Sequence, residues 1–142
     1  MCAGARPTLS ICLTCRDGRE GAHAEIRGGA RLAAAVLAAA IRQRVAADLR
    51  GVRCMSQCKR PCVVSLTAPG GFTYVFGDLD PADPAHAQAV LNLVPLYRAA
   101  LEGFLPREAR PEPLRAGILA RLPPIATTSG LTVPLHHPET ST

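Results

Sequence analysis

A chain of 142 residues with 48% hydrophobic content has enough apolar side chains for one globular core and too little length for a second. Its net charge of +5 and pI near 9.2 suggest a nucleic-acid partner, but all but one of the basic residues are arginines scattered along the chain, and aromatics for base stacking are few at 4%, so that class is set aside. The apolar run Leu32 to Ile41 is too short to span a bilayer and Met1 to Leu9 lacks a signal peptide's apolar stretch, so a cytoplasmic protein is expected, in whose reducing surroundings six cysteines point to metal or redox chemistry over structural disulfides.

Taken in order, Thr8-Leu9-Ser10-Ile11-Cys12 is rich in β-formers and alternates weakly, which predicts a first strand delivering Cys12 to its carboxyl end. Cys15 follows in a Cys12-Leu13-Thr14-Cys15 turn. The turn runs into Arg16-Asp17-Gly18-Arg19-Glu20-Gly21, a polar loop that belongs near the surface. From Ala30 to Arg50, Leu32, Val36, Ile41, Val45 and Leu49 recur at about helical spacing, alanines fill the gaps, and Gly51 supplies a stop. Val52-Arg53 then reads as a very short strand leading into Cys54. Strand, crossover helix and strand form a βαβ unit, which places both strand ends on one edge of a parallel sheet. The Cys12/Cys15 and Cys54/Cys58 groups are therefore expected to converge.

Val63-Val64-Ser65-Leu66-Thr67 and Phe72-Thr73-Tyr74-Val75-Phe76 flank Ala68-Pro69-Gly70-Gly71, which predicts a hairpin extending the sheet antiparallel. Asp83-Pro84 offers an N-cap followed by proline at the first helical position, and Val90, Leu93, Val94, Tyr97 and Leu101 mark the buried face of a second helix, with Pro95 near its middle. The expected fold is α/β, in the order β-α-β-β-β-α with a mixed sheet. Residues 1–105 form the domain. Residues 106–142 form a Pro-rich C-terminal arm, with one short helical candidate at Leu114 to Leu122 and a flexible last part.

The chemistry-bearing residues are cysteines. Cys54, Cys58 and Cys62 crowd into one stretch just before an apolar run, and crowded thiols repel one another once ionised unless a metal or a disulfide takes the sulfurs. For Cys12 and Cys15 alone, a pair of buried thiols and a redox dithiol are both open. A thioredoxin-type dithiol normally opens a helix, whereas here a polar loop intervenes. Four cysteines in two groups at two strand ends fit a Cys₄ zinc or iron–sulfur site better. Lys59, Arg60, Arg53 and Arg16 beside them form either a solvated basic face or cations that raise a cluster's potential and help dock an acidic partner. Backbone N–H groups of Met55 to Gln57 are positioned in sequence to donate to the sulfurs. His23, His86, His136 and His137 share no motif, so surface or cap roles are expected, and Gly28-Gly29 is a weak anion-site signal. The sequence holds no Ser-His-Asp order, phosphate loop or dinucleotide glycine pattern, which disfavours an enzyme with its own substrate pocket.

The stretch Cys54 to Leu66, followed by Gly70-Gly71-Phe72-Thr73-Tyr74 and Asp80-Pro81, resembles the second cluster loop and hairpin of thioredoxin-like [2Fe-2S] ferredoxins and of the related small subunit of respiratory complex I. More narrowly, CLTCRDG, CMSQCKRPC, TYVFGDLDP and PEPLRAG resemble a bacterial family of predicted metal-binding proteins, the family of unknown function 1636. The resemblance implies a thioredoxin-like fold, a dimeric electron carrier, and a [2Fe-2S] cluster with Cys54, Cys58 and Cys12 as ligands. Cys15 is the fourth ligand expected, with Cys62 its competitor, and a [4Fe-4S] cluster with one thiol spare is the variant. A metal-handling or metal-sensing protein holding zinc or another metal is the alternative reading, followed by a dithiol oxidoreductase using Cys12 and Cys15. The partner implied is a redox protein.

Overall fold

In the computed structural model, residues 6–21 and 26–135 are described. Cys2, His23, His136 and His137 lie outside them. Strand β1 (Thr8–Cys12) occupies an interior place in the sheet because its side chains are small or apolar on both faces: Leu9, Ser10, Ile11 and Cys12 are all buried. It pairs in parallel with β2 (Asp48–Val52), Cys12 level with Val52, and antiparallel with β3 (Val64–Thr67), Ile11 level with Val64. A hairpin through Gly70, whose φ of +72° suits glycine, joins β3 to β4 (Thr73–Phe76), and the Thr67 and Thr73 hydroxyls bond across it at 2.7 Å.

The register places Leu9, Ile11, Val64, Leu66, Tyr74 and Phe76 on one face. Helix α1 (Gly28–Gln43) packs on β1 and on α2 (Pro84–Ala99). The Tyr97 hydroxyl of α2 donates to the Phe72 carbonyl at 2.6 Å, and its ring meets Tyr74 edge-on. The Asp83 side chain caps α2 by accepting from Ala85 N–H, with Pro84 at the first turn. A parallel βαβ half joined to an antiparallel ββα half, in a mixed five-stranded sheet of order β2-β1-β3-β4-β5, makes the fold thioredoxin-like. Among the described residues, no helix is long and apolar enough to cross a membrane.

Several expectations need correction. The helix expected from Ala30 to Arg50 stops at Gln43, where Arg44 turns left-handed (φ 52°) and its N–H caps Ala40 and Ile41. Leu49 continues the helical spacing but also fits a strand, and the Asp48 N–H, donated to the Pro7 carbonyl, starts β2 there. Ile41 is 67% exposed because it faces away from Leu32 and Val36. Leu101 is 59% exposed because α2 has ended before it and the chain reverses through Glu102 (φ 54°) and Gly103 (φ 66°). The helix expected over Leu114 to Leu122 is one turn, α3 (Pro113–Ala116), followed by β5 (Ile118–Leu122) on β4. At that switch Gly77 N–H donates to the Gly117 carbonyl at 2.8 Å, and a Cβ on Gly117 would lie 2.7 Å from the Gly77 oxygen.

Within this C-terminal segment Leu114 is fully buried, and the buried Arg110 guanidinium donates to the Leu114 and Leu105 carbonyls. Leu114→Ala is expected to cost about 2 kcal/mol, the low end for such truncations because a single helical turn collapses into the gap. Urea denaturation measures it. A change within a few tenths of a kcal/mol would show that the segment adds nothing to the core.

Candidate metal centre

Both cysteine groups hang from the carboxyl ends of the parallel strands. Cys12 N–H donates to the Val63 carbonyl (3.0 Å) and Leu13 N–H to the Val52 carbonyl (2.8 Å), so the end of β1 is clamped between its neighbours. The following turn is pressed against the start of α1, where Gly29 N–H donates to the Cys15 carbonyl (2.9 Å), and a Cβ on Gly29 would lie 2.0 Å from the Cys12 carbonyl oxygen. Beyond β2 the chain passes through two left-handed non-glycine residues, Cys54 (φ 77°) and Ser56 (φ 60°), before Arg60 N–H closes a turn on Gln57. Cys62 re-enters the core, its N–H donating to the Leu79 carbonyl at 3.1 Å.

The sulfurs divide by depth. Cys12, Cys15 and Cys62 are buried, whereas Cys54 and Cys58 are exposed on the loop. Burial raises the Cys12 thiol, yet the Cys15 thiol, the Thr14 hydroxyl and the backbone N–H groups of Met55 and Thr14 all act on its sulfur and bring it down from 9.0 to about 7. Burial and the Cys12 sulfur push Cys15 up to about 12, although the Val63 N–H favours its thiolate. Burial, with the Asp17 and Glu20 carboxylates, pushes Cys62 up to about 12. On the loop, Ser56 N–H donates to Cys54 Sγ at 3.4 Å.

Thus the two segments meet, since Met55 reaches the Cys12 sulfur, but the five sulfurs do not form a closed cage. Among the described residues no group of three or more His, Cys, Asp or Glu side chains is positioned to hold a metal ion. The donor set nevertheless fits a thiophilic metal or iron–sulfur group: thiols from two adjacent loops, three of them already facing backbone N–H donors.

Two residues of this end were not picked out from sequence. Asp17 and Glu20 turn their carboxylates inward, with side chains only 7% and 2% exposed. Glu20 accepts from Gly28 N–H (2.7 Å), Asp17 N–H and Gly18 N–H, so the helix start read as a weak anion site is filled by the chain's own carboxylate. Asp17 accepts from Arg31 at 2.6 Å. An acidic pair shortly before a glycine-led helix was the available signal. Arg60, grouped in sequence with the free basic residues, is held by Asp78 at 2.9 Å. His86 serves as a cap, its Nδ1 accepting from Asp80 N–H at 2.8 Å.

Burial raises the Glu20 carboxyl, but the N–H groups of Gly28, Asp17, Glu20 itself and Gly18 bring it from 4.5 down to about 2. A carboxyl depressed on folding stabilises the fold fully above its unfolded value and loses that contribution as pH falls toward its folded value. Glu20→Gln is therefore expected to be less stable than the parent at pH 7, with the gap shrinking between about 4.5 and about 2. Urea midpoints across that range test it, and a gap independent of pH would contradict the assignment.

Fold and site together define a class: a thioredoxin-like α/β domain with a thiol site at the carboxyl ends of its two parallel strands. The chain belongs to the family described as protein of unknown function DUF1636, whose profile matches residues 9–124. Among solved structures it is similar to a thioredoxin-like [2Fe-2S] ferredoxin from Aquifex aeolicus, at 15% identity and a TM-score of 0.49, over 86% of this chain and 98% of that one. No curated protein matches the sequence.

Proposed function

We propose that this chain is a cytoplasmic, homodimeric iron–sulfur electron carrier whose [2Fe-2S] cluster is held by Cys12, Cys15, Cys54 and Cys58. The observation that supports it most is that the two cysteine loops leave adjacent strand ends: Cys12 is level with Val52, Leu13 N–H donates to the Val52 carbonyl, and beyond it Ser56 N–H donates to the Cys54 sulfur. When bound, the cluster supplies one-electron redox chemistry. Brought down to about 7, the Cys12 thiol supplies thiolate near neutral pH for such a group. Cys15 in the same loop, and the exposed Cys54 and Cys58 of the second loop, would complete the ligand set. Cys62 is the most enclosed of the five, and Cys15 shares the first loop with Cys12, which favours Cys15 as the fourth ligand. Anaerobic reconstitution with ferrous iron and sulfide tests the reading. An EPR signal that appears on reduction with dithionite supports it, and a protein that stays diamagnetic and iron-free refutes it.

One observation favours a second reading. The Cys15 thiol lies against the Cys12 sulfur, with Cys12 pulled down and Cys15 pushed up, the division of labour found in a reactive dithiol. In that case the two thiols give up two electrons and two protons to a partner disulfide and become a Cys12–Cys15 disulfide, which peptide mapping detects.

A further inference from the structure

Among the described residues, the charges around the exposed cysteines do not balance, and the imbalance has one sign. At this end of the sheet the carboxylates are, among the described residues, already committed. Asp17 holds Arg31 and Arg19, Glu20 holds the start of α1, Asp78 holds Arg60, and Asp80 holds Arg19. The cations are not. Arg16, Arg53 and Lys59 are exposed, and among the described residues none of them has a carboxylate within ion-pair distance. Arg27 donates to the Thr14 carbonyl at 3.0 Å and, among the described residues, has no carboxylate within ion-pair distance beside the Cys12–Cys15 turn.

Topology gathers these four charges. Arg16 and Arg27 border the loop after β1, while Arg53 and Lys59 flank Cys54 and Cys58 after β2. The two loops are held together by the Cys12–Val52 register and by Met55 at the Cys12 sulfur. The geometry points to this rim as the docking face for a protein partner that presents a cluster of Asp and Glu carboxylates over Cys54 and Cys58. A single-stranded nucleic acid fits less well, because stacking platforms are missing: the first aromatic residue in the chain is Phe72, beyond both loops. Unpaired surface cations of this kind steer an oppositely charged surface and fix its orientation more than they add affinity.

The inference rests on the electron-carrier reading only for what passes between the partners, so its test uses metal-free protein, with Cys2→Ser removing the thiol outside the described residues. Modification of Cys54 and Cys58 by dithiobis(nitrobenzoate), a dianion, is compared with modification by neutral dithiodipyridine. The rim should accelerate the dianion about tenfold at about 0.01 M salt, an advantage lost as salt approaches 0.15 M. Arg53→Glu with Lys59→Glu should invert that salt dependence. Arg53→Gln with Lys59→Gln should weaken it, with the far-ultraviolet spectrum unchanged. Polyglutamate should slow the neutral reagent, and polylysine should not. A ratio of the two reagents' rates that does not change with salt would overturn the inference, as would protection by an oligonucleotide where polyglutamate gives none.

Discussion

Cys12→Ser is expected to lose iron and sulfide binding completely, leaving a colourless, folded protein. Cys12 is where the two cysteine segments touch. Its sulfur takes the Met55 N–H from one, the Thr14 groups and the Cys15 thiol from the other, and these bring it to about 7, so it contributes thiolate at neutral pH. A serine hydroxyl is neither soft nor ionised there, and no exposed thiol can reach that buried position. The swap leaves a small polar group among existing donors, so stability falls by about 1 kcal/mol and a circular-dichroism spectrum remains native. Cys58→Ser is expected to give the same colourless protein, because an exposed loop sulfur supports no core packing and matters only as a ligand. Cys62→Ser is the contrast: it should keep the visible spectrum. A Cys12→Ser protein that still takes up iron and sulfide would remove the site from this end of the sheet, and a colourless Cys62→Ser protein would exchange the roles of Cys15 and Cys62.

Gly29→Ala is expected to damage fold and site together. A Cβ there falls 2.0 Å from the Cys12 carbonyl oxygen and 3.2 Å from the Cys15 nitrogen, both backbone atoms that no rotamer change can move. Either α1 lifts off the sheet or the Cys12–Cys15 turn is pushed away from Met55. Overpacking of this kind costs about 3 kcal/mol or more. Alanine on the exposed face, at Leu37, is the control and should change stability by well under 1 kcal/mol. Urea denaturation of both variants, with cluster uptake measured on Gly29→Ala, checks the prediction. A Gly29→Ala protein of parental stability that binds iron normally would mean that the helix start does not hold the turn.

Much of the fold was readable from local chemistry. The β1 alternation, the Pro-Gly-Gly hairpin and the Asp83-Pro84 cap each specify one structure through backbone restrictions that short sequences express. The end of α1 was not readable, because Val45 and Leu49 satisfy helical spacing while the decisive event, Arg44 turning left-handed, has no glycine to announce it. β5 was hidden because Ile118 to Leu122 takes its strand identity from pairing with β4, a contact between distant segments. In the site, sequence grouped Cys62 with Cys54 and Cys58, but depth divides them: Cys62 leads into the buried β3 and bonds to Leu79, so it sits with Cys12 and Cys15 instead. The inward turn of Asp17 and Glu20 depends on where α1 begins, and that start is set by packing against the Cys12 carbonyl.

The most direct test of the whole account is metal and sulfide analysis of the anaerobically purified chain beside its visible spectrum. The account predicts a brown protein with iron and acid-labile sulfide in equal amounts, both absent from the Cys12→Ser and Cys58→Ser variants. A colourless protein carrying stoichiometric zinc and no sulfide would contradict it.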